Sequence, residues 1–130
     1  MSGQMDVTLD RGVIVVRYDG RPGDDVFEAY LRRYESLAGR GEPYATVYAT
    51  ASGARIPQPH HARLQAAWMK QHQPMLRDWC RGLGFSLSTP LMRGVLRAVL
   101  KMQPLAAEHA VFSTEDEAIA WARARLDLAA

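Results

Sequence analysis

Short apolar runs rich in β-branched residues alternate along this chain with longer segments whose apolar residues recur every three or four positions. Residues 7–9 and 13–16 are two such runs, and the Asp-Arg-Gly sequence at residues 10–12 separates them, which predicts a β-hairpin. Asp24 is the expected N-cap of a first helix. One face of that helix carries Phe27, Tyr30, Leu31, Tyr34 and Leu37.

Residues 44–50 predict a strand buried on both faces, and a long helix is expected to begin near Pro59. At about 100° per residue, apolar residues fall on one side of this helix and basic residues on the other. Pro74 lies within it and predicts a kink at residues 70–74, because its ring removes one backbone hydrogen bond. The apolar side comprises Leu64, Trp68, Met75, Trp79 and Leu83.

The C-terminal part of the chain predicts a strand at residues 84–88, a helix, a strand at residues 110–112 and a last helix. The Thr-Pro pair at residues 89–90 supplies an N-cap and a proline at the first helical position. Thr114 and Glu117 have the spacing of a capping box at the start of the last helix. The expected buried stripe of the preceding helix is Leu91, Val95, Val99 and Met102.

The resulting order of elements is β-β-α-β-α-β-α-β-α. A hairpin followed by βα units predicts an α/β fold with a mostly parallel mixed sheet, one antiparallel strand and helices packed against it. The 130 residues are expected to form one domain, residues 1–130, since domains most often contain about 100–150 residues. A hydrophobic content of 48% and a charged content of 23% are typical of globular proteins, so a packed core is expected.

Positive charge is concentrated in residues 55–101, which contain eight Lys or Arg and one acid, Asp78, a net charge of +7. The whole chain carries only +2, so the remainder is acidic on balance. Such segregation shapes the potential that a partner meets, although solvated helix faces are the default explanation unless the two basic stripes are neighbours in space. The candidate surface for an anionic partner consists of two stripes, Arg63, Lys70, Arg77 and Arg81, then Arg93, Arg97 and Lys101.

Cys80 is the single cysteine, so an internal disulfide is excluded and a reducing compartment is expected. The first residues lack the basic start and apolar stretch of a secretory signal. No segment reaches the roughly 20 apolar residues that a spanning helix requires. These observations predict a cytoplasmic protein without a transmembrane segment.

The element order, together with residues 110–122, resembles the STAS superfamily, and within it the bacterial sporulation anti-sigma-factor antagonists. The matching features are a terminal strand, a short acidic turn and a helix containing Ala118-x-x-Trp121. The resemblance implies a small cytoplasmic α/β domain that binds other proteins, sometimes under phosphorylation control, in a fold group that also includes lipid-carrying relatives. Those antagonists have an Asp-Ser pair between the third strand and the second helix, whereas residues 49–60 contain none.

That region nevertheless supplies the candidate partner-binding residues. Ser52 could accept a phosphate beside Arg55, or its hydroxyl could satisfy local backbone groups. His60 and His61 could contact an anion at the helix N-terminus, or simply be solvated there. The full set is Thr50, Ser52, Gly53, Arg55, His60 and His61.

No catalytic residue, metal site or cofactor is predicted. Adjacent histidines on a helix diverge by about 100°, so His60 and His61 are not expected to face one metal ion. His72 is expected to be a core-edge histidine bonded to a carbonyl, and Cys80 a structural or inert thiol. Because the sequence shows no nucleophile–base set and no phosphate-binding glycine loop, we expect no enzymatic activity.

Three functions are consistent with the sequence. The first is a regulatory module that binds another protein, with a homodimer as one alternative. The second is a carrier of a small apolar or lipid ligand in a pocket between sheet and helices. The third is nucleic-acid binding through the basic faces, for which the sequence contains no recognised reading motif. The residues expected to line a ligand pocket are Met69, Met75, Trp79, Met92 and Met102.

Overall fold

The structure is a computed structural model that describes residues 3–51, 59–87, 89–102 and 107–129, without the side chains of residues 99, 102, 128 and 129. The strands are β1 (Gln4–Asp10), β2 (Val13–Asp19), β3 (Tyr44–Thr50), β4 (Cys80–Ser86) and β5 (His109–Phe112). The helices are α1 (Asp24–Ala38), α2 (Pro59–Gln71), α3 (Gln73–Trp79), α4 (Pro90–Met102) and α5 (Glu115–Ala129).

The five strands form one mixed sheet in the order β1-β2-β3-β4-β5. The β1–β2 pair is antiparallel and the other three pairs are parallel, which confirms the predicted α/β fold and its single antiparallel strand. Parallel strands joined through helices are connected by right-handed crossovers, and here each crossover advances in the same direction along the sheet. This rule places α1, α2, α3 and α4 on one face, with α5 packed against the other.

The predicted hairpin is confirmed, and its turn follows from backbone sterics. Arg11 and Gly12 form a two-residue connection in which φ is 50° and 85°, respectively. Two consecutive positive φ values are the signature of a type I′ turn, whose twist matches that of the flanking strands. The strands are longer than predicted, because pairing extends from Asp10 opposite Val13 as far as Gln4 opposite Asp19.

The sheet carries a core on each face, because successive side chains of a strand point to opposite sides. β2 and β3 both contribute to the two cores, which confirms the predicted burial of residues 44–50 on both faces. The core beneath α1, α2 and α3 includes Ile14, Val16, Tyr44 and Leu83 from the sheet with Phe27, Tyr34, Trp68 and Leu76 from the helices. The core beneath α5 includes Val13, Val15, Ala45, Val47, Ala49, Ala118 and Ala122.

The helix predicted from Pro59 onward is interrupted within the predicted kink at residues 70–74, but its expected continuation to Leu83 is wrong, because helix α3 ends at Trp79. The helical conformation is interrupted at His72, and Pro74 lies in the first turn of the separate helix α3. A backbone N–H at that position would have no partner within the helix, so proline costs no hydrogen bond there. β4 then begins at Cys80, four residues before the predicted start, and Cys80 pairs with Tyr44 of β3. Leu83 and Arg81 therefore lie on a strand. The prediction that Leu64 lies on the buried side of this helix is also wrong, since Leu64 is 44% exposed.

The predicted caps of the last two helices are confirmed. The backbone N–H of Met92 donates to Thr89 Oγ1 at 3.2 Å at the start of α4. At the start of α5 the backbone N–H of Glu117 donates to Thr114 Oγ1 at 3.2 Å, and the Thr114 hydroxyl donates to Glu117 Oε1 at 2.8 Å. Each cap satisfies an N–H group that has no partner within its helix.

Replacing Thr114 by alanine is expected to lower the free energy of unfolding by about 1 kcal/mol, because it removes the N-cap acceptor. Urea denaturation followed by circular dichroism measures the loss. Ser113→Ala is the matched control, since the Ser113 hydroxyl donates to the Glu117 side chain at 3.1 Å and caps no backbone N–H among the described residues. A change within about 0.5 kcal/mol is expected for this control. Equal losses in the two variants would contradict the capping role.

Candidate functional site

The N-termini of four helices lie at the same edge of the sheet. α1 follows the carboxyl end of β2, α2 follows that of β3, α4 follows that of β4 and α5 follows that of β5. Because β2, β3, β4 and β5 are parallel, their carboxyl ends share one edge. This edge is where open α/β sheets usually bind ligands, so a functional site is expected there.

A cluster of three polar side chains joins the starts of α1 and α2. The predicted N-cap role of Asp24 is wrong, because Gly23 occupies the N-cap and Asp24 is the first helical residue. Asp24 Oδ1 instead lies 2.7 Å from His60 Nε2 and 2.8 Å from His61 Nε2. These two hydrogen bonds lower the pKa of the exposed Asp24 carboxyl.

Both histidine rings reach the same carboxylate oxygen, although adjacent helical positions were expected to direct them about 100° apart. His61 is buried and stacks on Phe27, with ring centroids 4.4 Å apart and planes 5° from parallel. The His60 ring lies 4.3 Å from the His61 ring, and its side chain is 41% exposed. Helical periodicity describes only where the two side chains leave the backbone. Asp24, on the neighbouring helix, lies where both rings can reach it.

The other predicted partner-binding residues divide into two groups. The hydroxyl of Thr50 donates to the carbonyl of Ser86 at 3.0 Å, so it ties the end of β3 to the end of β4. Ser52, Gly53 and Arg55 lie outside the described residues. Of the six residues in the predicted set, the structure therefore brings together His60 and His61 and gives Thr50 a structural contact.

The predicted basic surface does not form two continuous helical stripes. Arg81 belongs to β4, and its Nη1 donates to the carbonyl of Asp78 at 2.8 Å. Arg93 Nη1 donates to the carbonyl of Leu87 at 2.7 Å, at the end of β4. Both of these arginines are half-buried, whereas the remaining five basic residues are exposed on α2, α3 and α4. Those five are Arg63, Lys70, Arg77, Arg97 and Lys101.

His72 and Cys80 have the structural surroundings that the sequence predicted. His72 Nδ1 lies 2.9 Å from the Trp68 carbonyl, and its Nε2 lies 2.6 Å from Glu35 Oε1. Cys80 is buried, and burial raises the pKa of its thiol to about 11. The thiol is therefore protonated at neutral pH and is a poor nucleophile.

Two residues of the predicted buried stripe of α4, Leu91 and Val95, are directed to solvent, whereas Met92 and Leu96 are half-buried. Leu91 is 73% exposed and Val95 is 44% exposed, while Leu100 near the other end of the helix is buried. The side chains of Val99 and Met102 lie outside the described residues. Hydrophobic periodicity identifies an apolar face but does not establish that another element covers it.

A shallow cavity of about 410 Å³ lies between the C-terminal half of α4 and strand β5. The predicted lining is wrong for Met69, Met75 and Trp79, because these side chains pack against the core beneath α1. Met92 is half-buried and does not line the cavity, and the Met102 side chain is outside the described residues. The lining consists of Arg97, Leu100, Lys101, His109, Ala110 and Val111.

Comparison with known proteins identifies the fold. No protein-family model matches the sequence, and neither does any curated protein. An uncharacterised protein from Shewanella loihica with a SpoIIAA-like fold superposes with a TM-score of 0.65 and 15% identity, over 93% of this chain and 94% of that one. An anti-sigma factor antagonist from Mycobacterium paratuberculosis superposes with a TM-score of 0.58 and 18% identity, over 94% and 95% of the two chains.

The chain therefore has the SpoIIAA-like fold, which confirms the structural part of the STAS resemblance. At 15% and 18% identity the likeness establishes the fold alone, so function has to be argued from the site. Within the described part of the chain, every helix is too short or too polar to cross a membrane.

Proposed function

We propose that this chain is a non-enzymatic regulatory module that acts in the cytoplasm by binding another protein, with residues 1–130 forming one domain. The fold shared with an anti-sigma factor antagonist supports this class of function. The observation that carries the proposal is an exposed apolar patch on α4, formed by Leu91 and Val95. A buried and unpaired Cys80 is consistent with a reducing compartment.

Leu91 and Val95 are four residues apart, so they are neighbours on one face of α4. An isolated exposed leucine is common on protein surfaces, but two adjacent apolar side chains on a strongly amphipathic helix form a patch. Covering a leucine or valine side chain completely contributes about 1.5–3 kcal/mol. A partner that covers both would therefore obtain a substantial part of a micromolar affinity from this face alone.

The charge on the rest of α4 indicates the chemistry of the partner. Arg97 and Lys101 are exposed on a different side of the helix from Leu91 and Val95, and the described residues of α4 include no acidic side chain. Such positive charge acts through its long-range potential, which increases the association rate of a partner of opposite charge. We therefore propose a protein partner whose apolar patch lies on an acidic surface.

Substituting Leu91 and Val95 together by glutamine is expected to reduce recovery of a co-purifying protein partner by about tenfold or more. The measurement is affinity purification from the native host followed by quantitative mass spectrometry. Glutamine favours helix and both sites are exposed, so the free energy of unfolding should change by no more than about 0.5 kcal/mol.

Leu64→Gln is the matched control, because Leu64 on α2 is 44% exposed, as Val95 is. This variant should recover the partner at the wild-type level. Undiminished recovery by the double variant, or an equal loss with Leu64→Gln, would contradict the assignment of the binding face to α4.

A carrier of a small amphipathic anion is the second candidate, and the cavity beside β5 favours it. Leu100 and Val111 give this cavity an apolar part, while Arg97 and Lys101 provide positive charge. A volume of about 410 Å³ is within the usual range of about 300–1,000 Å³ for small-molecule sites. Native mass spectrometry of the purified protein distinguishes the two functions, since a carrier would show a bound mass that Arg97→Glu removes.

A further inference from the structure

We propose that Asp24, His60 and His61 bind a divalent transition-metal ion, with Zn²⁺ as the best match to this set of ligands. Each residue offers one ligand atom, and the three atoms all lie within 4.8 Å of one another. The site joins α1 to α2 at the carboxyl edge of the sheet. It is independent of the proposed function, because α4 contributes no ligand.

The geometry requires only a small adjustment. Zn²⁺ binds histidine nitrogen and carboxylate oxygen at about 2.0–2.2 Å, which places tetrahedral ligand atoms about 3.3 Å apart. Asp24 Oδ1 now lies 2.7 Å from one Nε2 atom and 2.8 Å from the other. The carboxylate would therefore withdraw by about half an ångström to admit the ion. Asp24 is free to do so, since its side chain is 69% exposed.

The nature of the ligands selects the ion. Two imidazole nitrogens suit Zn²⁺, Cu²⁺ and Ni²⁺, whereas Mg²⁺ and Ca²⁺ prefer oxygen ligands throughout. Three protein ligands leave at least one coordination position open, and the exposure of His60 and Asp24 directs that position to solvent. Water or a side chain of a partner protein would occupy it.

Binding of a metal ion displaces the protons that His60 and His61 share with Asp24. A carboxylate oxygen only accepts hydrogen bonds, so in the metal-free protein the Nε2 atoms of His60 and His61 both carry the proton that they donate to Asp24. A bound ion replaces these two protons. Each ring then binds as neutral imidazole with its proton on Nδ1, and any additional proton is released to solvent.

The surroundings hold the ligands in place before an ion arrives. Stacking against Phe27 and nearly complete burial fix the ring of His61. Farther along the same pair of helices, the Tyr30 hydroxyl donates to Gln65 Oε1 at 2.9 Å, which keeps α1 beside α2. A site whose ligands are already oriented needs less reorganisation on binding and therefore has higher affinity.

Calorimetric titration of the untagged protein with Zn²⁺ tests the proposal, with thermal unfolding as a second readout. We expect one ion per chain and a Zn²⁺-dependent rise in the unfolding temperature, because an ion that binds only the native state stabilises it. Mg²⁺ should cause no such rise. Asp24→Asn and His60→Ala should each weaken Zn²⁺ binding by at least about tenfold. Both residues are partly or largely exposed, so these variants are expected to fold, and circular dichroism verifies this.

Two matched controls should bind Zn²⁺ as the wild type does. Asp25→Asn removes the neighbouring first-turn acid of α1, and His109→Ala removes an exposed histidine on β5. With Co²⁺ as a probe, visible absorption bands should appear in the wild type and be lost in His60→Ala, which reports coordination directly. Failure of the wild type to bind one Zn²⁺ saturably would overturn the proposal. Equal binding by Asp24→Asn or His60→Ala would also overturn it, because the ion would then lie elsewhere.

Discussion

Replacing Gly82 by alanine is expected to lower the free energy of unfolding by about 1–3 kcal/mol, although the substitution adds a single methyl group. A Cβ atom at this position of β4 would lie 2.8 Å from Cη2 and 2.9 Å from Cζ3 of Trp121. It would also lie 3.3 Å from Cγ of Arg125. The indole ring is rigid, so the clash can be relieved only by moving the whole ring or by separating α5 from the sheet.

Gly84, two residues farther along the same strand, provides the control. Its added Cβ would lie 3.4 Å from Trp121 Cε3 and 3.6 Å from Ala118 Cβ, which are ordinary contacts. Gly84→Ala should therefore be nearly neutral, or slightly stabilising because it reduces the entropy of the unfolded chain. Urea denaturation compares the two variants, and a Trp121→Leu background should remove most of the cost at Gly82. Equal costs at both glycines would contradict this packing argument.

The same contact gives a physical reason for the tryptophan in the Ala-x-x-Trp sequence of α5. Trp121 lies against Gly82 and Gly84, while Ala118 and Ala122 on the same helix are fully buried against the sheet. Small residues on both sides let the helix and the strand approach closely, and the indole fills the space that the glycines leave. The motif that carried the resemblance is thus a packing device and says little about the partner.

The parts of the fold that sequence predicted are those specified by local chemistry. The turn at Arg11 and Gly12 follows from the conformations that glycine permits. The caps at Thr89 and Thr114 follow from hydrogen bonds between residues only three positions apart in the sequence. Each signal involves neighbouring residues, so it can be recognised without knowledge of the tertiary structure. The order of strands and helices followed from these signals and from hydrophobic periodicity.

Features decided by distant residues could not be predicted. Cys80 and Gly82 carry no strong strand signal, and they are in β4 because β3 pairs with that segment. The meeting of Asp24 with His60 and His61 spans 36 and 37 residues along the chain and depends on how α1 packs beside α2. The exposure of Leu91 depends on whether another element covers α4, and no property of the helix sequence determines that.

Raising the pH above about 9 is expected to destabilise the protein steeply. The core beneath α1, α2 and α3 contains a thiol and several tyrosine hydroxyls that are neutral in the folded protein and would become anions at high pH. Burial raises the pKa of the Cys80 thiol to about 11, from an ordinary value of 9.0. Burial also raises the pKa values of the four tyrosines in this core above their ordinary value of 10.0. These tyrosines are Tyr30, Tyr34, Tyr44 and Tyr48.

The free energy of unfolding falls with rising pH because the folded and unfolded states bind different numbers of protons. Between about pH 9 and 11 the unfolded chain loses protons from these groups while the native state keeps them, so the free energy of unfolding falls as the pH rises. The stability from Cys80 is complete below its unfolded pKa of 9.0 and is lost by its folded pKa of about 11. At about 1.4 kcal/mol per unit of pKa, this one thiol accounts for about 3 kcal/mol. The tyrosines extend the loss to higher pH.

Urea midpoints measured from about pH 8 to pH 11 test this expectation, with tyrosinate absorbance recorded on the same samples. Cys80→Ala separates the contribution of the thiol, since this variant should lose less stability between about pH 9 and 11 than the wild type does. Tyr48→Phe should reduce the loss at higher pH, because it removes a hydroxyl whose pKa burial raises above its ordinary value. Tyrosinate should appear together with unfolding, since the buried hydroxyls ionise only after water reaches them. A midpoint that is constant across this range, or five tyrosines that ionise near pH 10 in the folded protein, would contradict the argument.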